Sequence, residues 1–216
     1  MARMESQITI ECQEIRLEGR LTRNSSQKAV IVCHPHPLYG GDMDNPVVMT
    51  IARAFFEKGF TTLRFNFRGT GKSTGAFDNG TGEQEDIRSA MDYMADQGFL
   101  DITLAGYSFG ARMNAALVSR GCRVDDHIMV SPPAGFMSFD DIDKMPHTGL
   151  IVTGGNDEIA PPQLISRHIK RWGIHPRFDI LDHCDHFYSG CLQRLETRLM
   201  DYLSAKEREG RPENGT

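Results

Sequence analysis

The chain has 216 residues, of which 39% are hydrophobic and 25% charged, with a formal net charge of −5 and a pI near 5.9. That length suits a single domain with a well-buried core. The acidic balance argues against a nucleic acid or anionic membrane as partner, either of which favours a basic patch, and no apolar run approaches the roughly 18 residues a membrane span needs. The opening MARMESQITIECQEI lacks the apolar core and cleavage site of a signal peptide, so the expected compartment is the cytoplasm. Five cysteines (Cys12, Cys33, Cys122, Cys184 and Cys191) form no CxxC pair, and in a reducing compartment they are expected as free thiols. In chain order, alternating residues predict an antiparallel hairpin over 7–12 and 14–22, with Ile8, Ile10 and Cys12 on one face. Ala29 to Cys33 is a continuous apolar run, as in a strand buried on both faces. Helices are predicted over 46–58, with Asn45 as N-cap and Pro46 in the first turn, and over 83–97, 109–120, 161–172 and 187–205. Strands are predicted over 61–67, 101–106, 126–131, 150–154 and 177–181. This alternation predicts an α/β fold: a mostly parallel sheet covered by helices on both faces, made mixed by the hairpin. One domain is expected over 1–206, followed by a polar, disordered tail over 207–216. Only about 18 residues separate Ser131 from Leu150, too few for a lid domain.

Gly106-Tyr107-Ser108-Phe109-Gly110 matches GxSxG, and its surroundings give the match weight. An apolar strand, Ile102 to Ala105, runs into it, and a helix with Ala111, Ala115 and Ala116 runs out. A serine on such a sharp turn stands above the sheet with its hydroxyl exposed to a base and a substrate. The following helix aims its N-terminal amides at the same place. Ser108 is therefore the expected nucleophile.

A serine hydroxyl needs a histidine to take its proton and a carboxylate to orient that histidine. Behind an elbow of this kind the acid and then the base follow the serine in sequence, each just past a strand end. Asp157, after the strand Leu150 to Gly154, fits the acid, with Glu158 as its neighbour; Asp140, Asp141 and Asp143 lie in an irregular segment with no strand leading into it. The loop after the strand Arg177 to Leu181 holds His183 and His186, and His186, just before the last helix, is the preferred base. His127, His147, His168 and His175 are expected on the surface or on helices. No metal site is expected, either from the two loop histidines His34 and His36 or from Cys184 and Cys191 flanking His186.

Acyl transfer also needs donors where negative charge develops. The backbone N–H of Phe109 is one; the second is expected from the loop His34-Pro-His-Pro-Leu-Tyr-Gly-Gly41. Pro35 and Pro37 have no N–H, which leaves His36, preferred, or Leu38. Tyr39 and Leu38, with Phe136 and Met137 from the segment 132–148, are candidates for the substrate pocket. The stretch Arg68 to Ser73 resembles the end of a phosphate-binding loop, but Asn66 stands where the first glycine of that motif belongs, and Arg68 is expected to be structural.

The segments HPHPLYGGDMDNPVV (34–48), RFNFRGTGKSTGAFDNGTGE (64–83), GYSFG (106–110), GGNDEIAPP (154–162) and DHCDHFY (182–188) together resemble the small, lidless α/β-hydrolases of the bacterial dienelactone-hydrolase-like group, related to minimal serine esterases. The resemblance spans about residues 8–205 and implies the triad Ser108, Asp157 and His186. Dienelactone hydrolases use a cysteine nucleophile; serine here favours ordinary esters. The expected activity is a carboxylesterase acting on short-chain acyl esters through an acyl-enzyme, with a small-molecule ester as partner and no cofactor. The same constellation serves thioesterase, peptidase or acyltransferase chemistry, and a non-catalytic binding protein of this fold is the alternative from another class. An oligomeric state is not readable from the sequence.

Overall fold

The computed structural model describes residues 4–209. Eight strands form one sheet: β1 (Glu5–Cys12), β2 (Ile15–Thr22), β3 (Lys28–Cys33), β4 (Thr61–Phe65), β5 (Asp101–Tyr107), β6 (Asp126–Val130), β7 (Thr148–Gly154) and β8 (Arg177–Leu181). Their order is β1-β2-β4-β3-β5-β6-β7-β8. β1 pairs antiparallel with β2, and β2 with β4; every later pairing is parallel. The helices are α1 (Pro46–Glu57), α2 (Thr81–Asp96), α3 (Phe109–Ser119), α4 (Pro162–Trp172) and α5 (Leu192–Glu209).

The continuous apolar run of β3 divides by its period of two. Val30 and Val32 pack with Val48 and Ile51 of α1 and Leu195 and Leu199 of α5. Ala29, Ile31 and Cys33 face the other side, with Ile87 of α2 and Leu117 of α3. A third cluster joins Ala111 and Ala115 of α3 through Met129 and Ile151 to Ile165 and Trp172 of α4. Burial of each large apolar side chain stabilises the fold by about 1.5–3 kcal/mol. α1 begins as its sequence requires: Val47 N–H donates to Asn45 Oδ1 at 2.9 Å, and Pro46 takes the first helical position.

After β3 the chain crosses to β4 on one side, and after β4 it returns to β5 on the other. The loops after β3 and β5 therefore diverge, which opens a crevice at the carboxyl ends of the strands.

Four expectations are corrected. The last helix starts at Leu192 rather than 187, because Tyr188 and Gly190 take positive φ (55° and 69°) and turn the chain back on itself. It also runs on through 207–209, so the boundary expected at 206 falls inside α5; residues 210–216 lie outside those described. Cys184 and Cys191 are not free thiols: the same turn brings their Cα atoms to 5.9 Å and they are joined as a disulfide, while Cys12, Cys33 and Cys122 are free. His127, expected on the surface or on a helix, is fully buried in β6, because that strand is covered on both faces. Among the described residues no helix is long and apolar enough to cross a membrane.

Candidate active site

Ser108 ends β5 and opens α3 at φ 53°, ψ −115°, a strained backbone for a residue with a side chain. The two motif glycines make the turn possible. A Cβ on Gly106 would lie 2.5 Å from the Ala111 nitrogen, and one on Gly110 would lie 2.4 Å from the Cys33 carbonyl oxygen. The Ser108 N–H donates to Val130 O at 2.9 Å, which ties the elbow to β6.

His186 Nε2 lies 3.0 Å from Ser108 Oγ, and its Nδ1 lies 2.9 Å from both carboxylate oxygens of Asp157. A carboxylate only accepts, so Nδ1 carries the hydrogen and Nε2 is left as an acceptor toward Ser108. The three side chains are nearly closed to solvent. Asp157 sits in the loop after β7, where its Oδ1 also accepts the N–H groups of Ile159 (3.0 Å) and Ala160 (2.7 Å). Burial pushes its carboxyl pKa up, but the hydrogen bond and charge of His186, the Ala160 amide and the Ser131 hydroxyl outweigh that and hold it below the usual value. Tyr107 donates its hydroxyl to the His186 carbonyl at 2.8 Å and so fixes the loop that carries the imidazole.

The other candidates stand elsewhere. His183 and Glu158 are exposed. Asp140 and Asp141 pair with Arg171 and Arg112, and Asp143 is exposed. The phosphate-loop look-alike is a framework turn: Arg68 donates to the buried Asp86 through Nε and Nη2.

The loop after β3 is held by His34. Its Nε2 accepts the Phe67 N–H at 3.0 Å, so its Nδ1 carries the hydrogen and donates to Pro35 O at 2.6 Å. Burial lowers its pKa to about 4, which keeps the ring neutral. His36 then caps the short 3-10 turn Pro37–Tyr39, with its Nδ1 accepting the Leu38 N–H at 3.2 Å. Its ring packs against Tyr39, Phe77 and Phe109 at centroid distances of 4.9, 5.0 and 4.8 Å. The backbone N–H groups of His36 and Phe109 donate to no other group among the described residues.

Ser108 and His186 open into a cavity of about 370 Å³. Tyr39, Phe136 and Met137 line it; Leu38 does not, because the 3-10 turn points it to solvent, where it is 67% exposed. Pro133 joins the wall, while Phe139 from the same segment turns into the core beside Trp172. Tyr107, Ile159 and Phe187 also line the cavity, and the sequence pattern did not single them out. Among the described residues, no Lys, Arg, Asp or Glu lines it. A hollow of about 450 Å³ lies at the opposite ends of the strands, walled by Lys28, Asp125 and Lys206.

No family model matches the chain. The chain is 34% identical over 209 residues to the uncharacterised protein RP471 of Rickettsia prowazekii, covering 91% of this chain and 88% of that one. Among solved structures, an α/β serine hydrolase homologue from Coxiella burnetii is 35% identical with a TM-score of 0.87, covering 93% of this chain and 98% of the other. XC6422 from Xanthomonas campestris, an α/β serine hydrolase without a lid, is 30% identical with a TM-score of 0.87, covering 95% and 96%.

Proposed function

Given that the chain belongs to the lidless α/β serine hydrolases, we propose that it is a serine esterase that hydrolyses small, uncharged carboxylic esters through an acyl-enzyme on Ser108. The observation that carries this reading is the unbroken line Asp157–His186–Ser108, at 2.9 and 3.0 Å, opening into an apolar cavity.

Ser108 Oγ attacks the ester carbonyl carbon while His186 Nε2 takes its proton. Asp157 holds Nδ1–H and stabilises the imidazolium that forms. The carbonyl oxygen gains negative charge between the amides of Phe109 and His36. His186 returns the proton to the departing alkoxide, and the alcohol leaves. A water then gives its proton to His186 and attacks the acyl-enzyme; the acid departs and Ser108 regains its hydrogen. An aromatic and aliphatic wall without ionic side chains favours neutral acyl groups, since a buried carboxylate would lack a partner.

The test is hydrolysis of p-nitrophenyl esters by the parent and by Ser108→Ala, beside labelling with a fluorophosphonate. Ser108→Ala is expected to lose about 10⁴-fold or more in kcat and to take no label. In a panel of acyl chains, thioesters and amides, neutral short acyl esters should turn over fastest and acyl groups bearing a carboxylate slowest. Equal turnover by Ser108→Ala would sink the mechanism, and a preference for thioesters or amides would move the activity to another class.

A further inference from the structure

The Phe, Tyr and Trp side chains left exposed among the described residues are Tyr39, Phe136 and Phe187, at 74%, 57% and 68%. They come from three loops, after β3, β6 and β8, and all three line the cavity of Ser108. Exposed aromatic surface is ordinary when scattered; gathered round one opening, it marks a place where something apolar binds. Tyr39 and Phe136 meet edge to face at 5.8 Å. Phe187 stands beside the base, its ring perpendicular to the His186 imidazole (87°) at 5.6 Å.

The backbone on both sides of Phe187 is pinned. His186 and Tyr188 are buried, and the Tyr188 hydroxyl lies 2.9 Å from that of Ser131. The His186 carbonyl accepts the Tyr107 hydroxyl at 2.8 Å, and the Cys184–Cys191 disulfide closes the loop. The exposed ring is thus a preformed surface, and a ligand that covers it has little chain to order.

The chemistry says which half of an ester reaches this ring. At the transition state the carbonyl carbon carries Ser108 Oγ, the oxyanion, the acyl chain and the leaving oxygen. The leaving oxygen must come within hydrogen-bond reach of His186 Nε2, which returns its proton. The substituent on that oxygen therefore departs along the loop of His186, where Phe187 is the next side chain. We propose that Phe187 is a specificity-determining residue that receives the alcohol half of the ester, and that this alcohol is aromatic, of the benzyl class. A flat ring suits the site because it can pack on Phe187 offset or edge to face, a contact worth more than its area alone. The inference rests on the esterase reading above and names the substrate class of that site.

Benzyl, cyclohexylmethyl and ethyl acetates test it. All three give the same acetyl-enzyme and differ only in the alcohol, so kcat/KM reads acylation. Rates are taken per site titrated with fluorophosphonate, so that misfolded protein does not enter. In the parent the benzyl ester should exceed the ethyl ester by about tenfold or more in kcat/KM, with the cyclohexylmethyl ester between them. Phe187→Ala, which leaves no hole in the core because the ring is exposed, should cut the benzyl-to-ethyl ratio about tenfold; Phe187→Tyr should keep it. Ethyl phenylacetate carries its ring on the acyl side, and its ratio to ethyl acetate should not follow residue 187. Three results would overturn the inference and, with Ser108→Ala inactive, leave the esterase reading standing. These are a benzyl-to-ethyl ratio unmoved in Phe187→Ala, a loss that follows the ring to the acyl side, or a cyclohexylmethyl ester as good as the benzyl one. Turnover of the acetates by Ser108→Ala, or none by the parent, would overturn the esterase reading itself and this inference with it.

Discussion

The amides of His36 and Leu38 are two residues apart, yet the His36 ring gives them different chemistry. Its Nδ1 accepts the Leu38 N–H at 3.2 Å, so that hydrogen is already committed. Burial lowers the pKa of the ring and keeps it neutral, able to remain an acceptor. The His36 N–H is left as the donor that can join Phe109 at a developing oxyanion. Replacing the amide of residue 36 by an ester, with the α-hydroxy analogue of histidine, deletes one hydrogen and leaves the side chain. Saturating turnover should then fall about 10²–10³-fold. The same replacement at Leu38 should cost less than about tenfold, the worth of a partly exposed neutral hydrogen bond. The opposite ranking would make Leu38 the donor.

At the scale of elements, the site depends on how closely α3 approaches β3. Gly110 permits the contact: a Cβ there would sit 2.4 Å from the Cys33 carbonyl oxygen, and a backbone atom cannot swing aside as a side chain can. Gly110→Ala should push α3 outward and carry the Phe109 amide and Ser108 with it. About 1–3 kcal/mol of stability should be lost, as for other overpacked contacts, together with most of the turnover per folded molecule. Chemical denaturation and active-site titration read the two losses separately, and an unchanged midpoint would mean the helix yields freely. This architecture was legible because its signals are local. Buried parallel strands such as β3 and β5 read as apolar runs, and the turn at Ser108 carries its glycines inside five residues. The loops of Asp157 and His186 can also be located from the sequence, since each lies just past a strand end, β7 or β8. What long-range packing decides is not legible in the sequence. Ser131 and Tyr188 are 57 residues apart, and no spacing rule pairs them. The disulfide and the late start of α5 both follow from the positive φ of Tyr188, a residue whose type does not announce it. Gly190 was the one local sign that a helix could not run through 187–191. The burial of His127 is likewise illegible, because a polar residue reads as exposed unless its neighbours are known to cover it.

For the whole molecule, His127 and His34 make acid the weak side of the fold. Both are fully buried and neutral, with burial lowering their pKa values to about 3 and about 4 from the ordinary 6.5. The unfolded chain binds protons at these positions below about pH 6.5, and the folded chain does not until far lower pH. A depressed histidine pKa therefore gives a stability that rises with pH and is lost as pH falls through that window. Between pH 7 and pH 5 each histidine should remove about 2 kcal/mol, the slope approaching 1.36 kcal/mol per pH unit below the unfolded pKa. Asp157, held below its usual value, adds to the loss only in stronger acid. Asp126 opposes it, because desolvation raises its pKa and the folded state then binds the extra proton. The net expectation is a urea-unfolding free energy lower by about 3–4 kcal/mol at pH 5 than at pH 7. His34 also links that loss to function. Once protonated, its Nε2 can no longer accept the Phe67 N–H, and the loop that carries the His36 amide loses its anchor. Hydrolase activity should accordingly fail in acid together with the near-UV signal of Phe67 and its aromatic neighbours, and full stability at pH 5 would show that both histidines find partners for their charge.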